Sequence, residues 1–177
     1  MQPEFLVAYV TRSGSTGEVA EFVAETLSEA GAPAKAKQTV DVQSILDDAP
    51  VILGAALYAG HFPKEFHKFI VRFQRKLSNA PPWIFVLGPT DKEPKHFAAA
   101  EEEARKDLAR YPWLHPADVR VLGGKFDPHN LKLAFPFSLV KMLPGNPFKK
   151  LPPSDVRDWD LIRNWARTIA DHLNAAV

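Results

Sequence analysis

Cysteine is absent from the 177 residues. That absence removes disulfides, thiolate metal sites, iron–sulfur ligation and cysteine nucleophiles. It leaves the compartment open, because secreted proteins can also lack cysteine. An excess of one charge is missing as well. Lys and Arg number 22, Asp and Glu 21, and the net charge is +1, so bulk charge gives no reason to expect a nucleic-acid partner. No apolar run approaches the roughly 20 residues of a membrane span. The opening MQPEFLVAYV has neither the basic leader nor the cleavage pattern of a secretory signal. A soluble cytoplasmic chain is the expectation.

Several motifs are missing too. Neither G-x-G-x-x-G nor G-x-x-x-x-G-K-S/T occurs, so the common dinucleotide and P-loop fingerprints are out. There is no G-x-S-x-G elbow for serine hydrolysis, no H-E-x-x-H and no internal repeat. The histidines stand at 61, 67, 96, 115, 129 and 172. His61 and His67 are not at the i+3 or i+4 spacing of one helix face, so no metal site is expected. Glu101, Glu102 and Glu103 are most simply a solvated helix face.

What is present is an alternation. With 46% hydrophobic and 24% charged residues, the chain suits one globular domain spanning 1–177. Phe5–Val10, Pro50–Ala56 and Pro82–Leu87 are short apolar runs, predicting strands buried on both faces. Ala34–Val42 is a more exposed strand and Val119–Leu122 a fifth. Between them apolar residues fall at helical spacing: Val19, Phe22, Val23 and Leu27; then Phe66, Phe69, Ile70, Phe73 and Leu77. Lys95–Tyr111 is a helix by alanine propensity and Glu–Arg/Lys pairing. Trp159, Ile162, Ala166, Ile169 and Leu173 form the last stripe, with Asp155 or Asp158 as its cap. Thr39–Asp48 has room for a short, poor helix. The alternation predicts an open parallel α/β sheet. One family of such sheets has the order 2-1-3-4-5 and binds its ligand at the carboxyl ends of strands one and three.

The loop at the first of those ends is Thr11-Arg12-Ser13-Gly14-Ser15-Thr16-Gly17, with four hydroxyls and two glycines at the start of a helix. Helix amino termini offer unpaired N–H groups and a positive dipole end. One hydroxyl would suffice for a cap. Four without a lysine suit a phosphate monoester.

T-R-S-G-S-T resembles the flavodoxin phosphate loop, written Thr/Ser-x-Thr/Ser-Gly-x-Thr. The resemblance implies a three-layer sandwich with sheet order 2-1-3-4-5, and flavin mononucleotide (FMN) as cofactor. Its phosphate would be held by Thr11, Arg12, Ser13, Gly14, Ser15 and Thr16. It also places Ala56, Leu57, Tyr58, Ala59 and Gly60 beside the flavin ring, where small residues allow close backbone approach and Tyr58 could stack. Amides there would tune the ring. Read without the resemblance, that loop is a plain strand-to-helix turn with Tyr58 and Phe62 as packing residues. Gly88, Pro89 and Thr90 are the candidates for the other ring face, with no stacking aromatic before Lys95.

GAALYAGHFPKEFHKFI is similar to a narrower group, the menaquinone-linked protoporphyrinogen IX dehydrogenases and their flavodoxin-domain relatives. Some members have an arginine where this chain has Tyr58 or Ala59, so no substrate contact is carried over there. Gly123, Gly124, Arg157, Asp158 and Trp159 also match that group. Between the fifth strand and the last helix lie about thirty residues, Gly123–Pro153, against roughly four to six for an ordinary connection. The insertion, about 125–153, mixes apolar residues with five lysines and one aspartate. That suits a membrane surface or an anionic amphipathic ligand, and equally a loop packing its own small core. The resemblance implies an oxidoreductase that takes electrons from a porphyrinogen and passes them to a quinone, with peripheral membrane contact through the insertion. The alternative is a flavodoxin-type electron carrier serving protein partners. No side chain is singled out as a catalytic acid or base. His61, beside the ring, could shuttle a proton, but a loop histidine without that role is the simpler reading.

Overall fold

The computed structural model describes residues 3–127 and 152–174. In chain order the elements are β1 (Phe5–Tyr9), α1 (Ser15–Glu29), β2 (Ala34–Gln38), β3 (Val51–Ala56), α2 (Lys64–Arg72), α3 (Gln74–Asn79) and β4 (Trp83–Leu87). They continue with α4 (Pro94–Leu108), β5 (Asp118–Leu122), β6 (Lys125–Phe126), β7 (Ser154–Asp155) and α5 (Trp159–Asn174). The first five strands form one sheet, in the order β2-β1-β3-β4-β5, and every pair is parallel. Each strand presents alternate residues to opposite faces. Val7, Ile52 and Phe85 meet α1 and α5 on one side, joined by Val23, Leu27, Ile162 and Ile169. Ala8, Leu53, Ile84 and Val86 meet α2, α3 and α4 on the other, with Phe66, Ile70 and Leu108. This is the three-layer sandwich of the flavodoxin fold. Among the described residues no helix is long and apolar enough to cross a membrane.

Three expectations need correction in detail. The second strand ends at Gln38, not Val42, and Thr39–Asp41 is a 3-10 turn. Thr39 and Val42 are both buried; residues three apart share a side in a 3-10 turn but face opposite ways in a strand. The stripe from Phe66 to Leu77 is two helices, with the break at Phe73 (φ −106°, ψ 26°). On either side of that break Arg72 donates to the carbonyls of Val42 and Gln43, and Lys76 to that of Asp47. The helices are thus tied to the preceding loop by polar bonds that apolar spacing does not encode. Of the two proposed caps for α5, Asp158 is the one used: its Oδ1 accepts the Leu161 N–H at 2.9 Å.

Of the insertion, the structure describes the stem. Lys125–Phe126 pairs antiparallel with Ser154–Asp155. Gly123 and Gly124 hold this stem against the sheet. A Cβ on Gly123 would lie 2.1 Å from the Val156 carbonyl oxygen, and one on Gly124 2.6 Å from that of Gly88. The Gly124 N–H donates to the Pro89 carbonyl at 2.7 Å, and the Val156 N–H to that of Gly124 at 3.0 Å. The double glycine is therefore a close-packing device joining the stem to the loop after β4. The apolar and basic residues between Leu131 and Lys150, expected to meet a membrane or an anionic ligand, lie outside the described residues.

Candidate functional site

The carboxyl ends of β1, β3 and β4 bring three loops together. In the first, Gly14 is the cap residue of α1 and adopts φ +96°, a left-handed conformation natural to glycine. No side chain caps the helix. The Thr11 hydroxyl accepts the Gly14 N–H at 2.9 Å and braces the bend. Ser15 and Thr16 are buried, Thr16 to 1% exposure. Among the described residues, the hydroxyls of Ser13, Ser15 and Thr16 form no hydrogen bond, and none of their oxygens is sealed from solvent. One hydroxyl would satisfy a cap, and here none is spent on capping. An uncapped helix start with a left-handed glycine and unspent hydroxyls fits a phosphate.

The second loop is a tight turn. Tyr58 and His61 exchange backbone bonds, at 2.9 and 3.2 Å. Ala59 (φ +50°) and Gly60 (φ +78°) occupy its two central positions, the geometry of a type I′ turn. Leu57, Ala59 and Gly60 face Gly88, Pro89 and Thr90 across a cleft of about 470 Å³. Asp91, His96 and Glu103 line its α4 side, with His96 Nδ1 2.8 Å from Asp91. Tyr58 does not line this cleft. It turns toward the first loop, where the Arg12 guanidinium lies 4.3 Å from its ring centroid, a cation–π contact. Burial pushes the Tyr58 phenol up and Arg12 pulls against it. Ala56 ends β3 beneath the turn, also off the cleft. A separate cleft of about 410 Å³, with Trp83, Asp118 and Trp165 in its wall, lies at the amino ends of β4 and β5, away from all three loops.

Two groups of residues were not foreseen as partners. Beside the first loop, Arg157 has a side chain only 3% exposed. It grips Asp155 bidentately, at 2.8 and 2.6 Å, reaches Glu18 Oε2 at 2.7 Å and lies over Trp159 at 4.7 Å. Lys125 approaches the other Glu18 oxygen at 3.4 Å. Burial opposes ionisation of Glu18, yet Arg157 and Lys125 outweigh it and hold the carboxyl below its usual range. The Arg157 hydrogen bonds do the same for Asp155. The stem of the insertion is thereby tied to the first turn of α1.

The other group centres on Asp107. Its carboxylate accepts the Phe62 N–H at 2.9 Å, lies 3.2 Å from His61 Nδ1 and 3.0 Å from His67 Nε2, and pairs with Arg110. The two histidines dismissed for their spacing thus share one carboxylate. The sequence carried a signal: Asp107 falls on the buried stripe of α4 with Ala100, Ala104 and Leu108. An acid on an apolar stripe calls for partners.

A profile of the flavodoxin domain family matches residues 6–137, and the chain belongs to that family. Its cofactor is FMN, consistent with the open α1 terminus. Among curated proteins, it is 24% identical over 170 residues to protoporphyrinogen IX dehydrogenase (quinone) of Escherichia coli strain K12, with 93% of each chain covered. Among solved structures, flavodoxin 2 from Bacillus cereus superposes with a TM-score of 0.56 at 18% identity, over 96% of this chain and 99% of that one. Rubredoxin oxygen:oxidoreductase from Desulfovibrio gigas gives 0.57 at 15% identity over 98% of this chain. The chain spans only 37% of that protein's length. These structural likenesses establish the fold.

Proposed function

We propose that this chain is an FMN-dependent oxidoreductase of the protoporphyrinogen IX dehydrogenase type, taking electrons from a tetrapyrrole and passing them to a quinone. The observation that carries the reading is the span of the likeness to the E. coli enzyme, 93% of both chains. It runs through the stretch between β5 and α5 as well as the sheet. In this reading Thr11, Ser13, Gly14, Ser15 and Thr16 hold the FMN phosphate, with Arg12 closing that end of the site against Tyr58. Ala56, Leu57, Ala59 and Gly60 flank one side of the ring, and Gly88, Pro89 and Thr90 the other. The electron chemistry is the cofactor's; the loops orient it and exclude water. The whole chain works as one FMN domain, and residues 125–153 meet the membrane surface or the substrate.

The test is anaerobic. Holoprotein is given protoporphyrinogen IX and a menaquinone analogue, and porphyrin fluorescence is followed. An enzyme-dependent rise is expected. If FMN is bound and cycles with a flavoprotein reductase while no porphyrin forms, the chain is instead an electron carrier for protein partners. Deleting Leu131–Phe148 is expected to abolish liposome or substrate binding and to leave FMN bound.

A further inference from the structure

Four large apolar side chains are exposed among the described residues: Val40, Leu46, Val71 and Leu161. The first three, at 66%, 68% and 58% exposure, fall in one strip, where the connection from β2 to β3 packs along α2 and α3. The 3-10 turn that holds Val40 rests against α2. Leu46 lies between Gln43 and Asp47, whose carbonyls accept from Arg72 and Lys76. Val71 is on α2 itself. Exposed apolar residues scattered singly are ordinary; three in one strip mark a surface.

The same strip is basic. Residues 64–76 carry five Lys or Arg against Glu65 alone. α2 buries Phe66, Phe69 and Ile70. Lys64, Lys68 and Val71 stand at i, i+4 and i+7 on the outer face, and Arg75 continues the series into α3. All four are exposed, and among the described residues Lys64, Lys68 and Arg75 form no ion pair or hydrogen bond. On α4, by contrast, Arg105 and Lys106 are paired with Glu101 and Glu102. Two further cations come from β2. Ala34 and Ala36 pack toward α1 and α5, so by strand alternation Lys35 and Lys37 face the α2 side. Both are exposed, because the connection to β3 supplies only a 3-10 turn to cover them. The acids nearby are Asp41, Glu65, Asp47 and Asp48, and the last two act on Lys76. Over residues 34–79 Lys and Arg number seven and Asp and Glu four, a net +3 in a chain of net +1.

We propose that the outer face of α2 and α3, with Val40, Leu46 and Val71, docks on an anionic lipid surface. Unpaired cations are drawn to the headgroups, and the aliphatic side chains enter the headgroup layer. The cations are spread along roughly 16 Å of helix, with aliphatic rather than aromatic residues among them. That spacing suits mobile headgroups, which gather under each charge; protein interfaces centre on buried aromatic and arginine anchors. Of the two roles proposed for residues 125–153, docking here leaves them the substrate. It also carries the second loop to the bilayer, since Gly60 of the cleft precedes Lys64 by four residues. A lipid-soluble quinone would be met there. That consequence rests on the proposed function; the docking itself does not.

The full chain is floated with vesicles of phosphatidylcholine, alone or mixed with phosphatidylglycerol. Salt is set at about 0.1 M and about 1 M, where the Debye length falls from about 10 to about 3 Å. Binding to the anionic vesicles alone, weakened by salt, is expected. Lys64→Gln, Lys68→Gln and Arg75→Gln together should lower the affinity at least about tenfold, with the melting temperature unchanged. The chain lacking Leu131–Phe148 should keep the wild-type affinity for vesicles. A check on the wild type needs no variant: vesicles with a paramagnetic headgroup should broaden the NMR amide signals of Leu46, Lys68 and Val71 more than those of Glu101 and Thr168. Vesicle binding unmoved by the triple change, or lost with the deletion, overturns the proposal, as does broadening that spares α2. A chain that ignores anionic vesicles overturns it too; if the triple change then weakens binding to polyglutamate, the face docks a protein instead. None of these outcomes bears on the porphyrin assay.

Discussion

The two helices that share one face of the sheet begin in opposite ways. At α5, Asp158 sits at the cap and accepts the Leu161 N–H; the helix end is satisfied by its own chain. At α1, Gly14 takes the cap position in a left-handed conformation and no side chain closes the end. Both starts had acids or hydroxyls within reach. The difference is that α1 opens at the carboxyl edge of the sheet, where the site lies. A helix amino terminus left with its donors and positive dipole end unspent suits an anion, the role proposed for α1; one that is capped is a structural joint. Arg157 connects the two, bonding Glu18 of α1 and Asp155 beside α5 while lying over Trp159.

The sharpest way to break this comparison is to make α1 start like α5. Gly14→Asp places a carboxylate where the phosphate is proposed to sit. FMN affinity is expected to fall at least about 100-fold, more than 2.7 kcal/mol, read by quenching of flavin fluorescence. Unchanged affinity would mean that α1 does not hold the phosphate. Thr16→Val is a gentler form of the same test. The hydroxyl has no partner among the described residues, so the FMN-free protein should keep its melting temperature, while FMN binds about tenfold more weakly for one lost hydrogen bond. A fall in apo stability with affinity intact would make Thr16 a packing residue.

The converse change is made at α5. Asp158→Ala should cost about 1 kcal/mol of stability in chemical denaturation and leave FMN affinity within about threefold of wild type. A loss of affinity larger than the loss of stability would merge the two helix starts into one site.

The smallest effect concerns the bridge between them. Glu18 and Asp155 have folded-state pKa values below their unfolded ones. The stability they contribute is therefore present above the unfolded carboxyl range, about 4, and is lost as pH falls through the depressed folded values. Both carboxylates are well exposed, so the contribution is screened. Melting temperature against pH should show a steeper acid-side decline in the wild type than in Arg157→Gln. Parallel curves would mean that the arginine packs without its charge mattering.

The sequence by itself determined the architecture and pointed to the loops of the candidate site. Short apolar runs alternating with amphipathic stripes have one economical solution, a parallel sheet with helices on both faces, and such sheets place ligands at strand carboxyl ends. Thr11–Thr16 could be proposed from the sequence because a phosphate cradle is built from consecutive residues. Leu57, Ala59, Gly60, Gly88, Pro89 and Thr90 were legible one loop at a time, and the fold brought both loops to one cleft. Tyr58 was placed in the right loop, but only the structure showed Arg12 over its ring. That His61 and His67 share a partner was not legible, because spacing along the chain was the only ruler. Asp107 reaches His61 and His67 from a separate helix, 46 residues beyond His61. Local pattern sets elements, because backbone bonds and burial repeat with the period of the chain. Which charged side chains share a buried carboxylate depends on how those elements dock, and tertiary packing alone decided that.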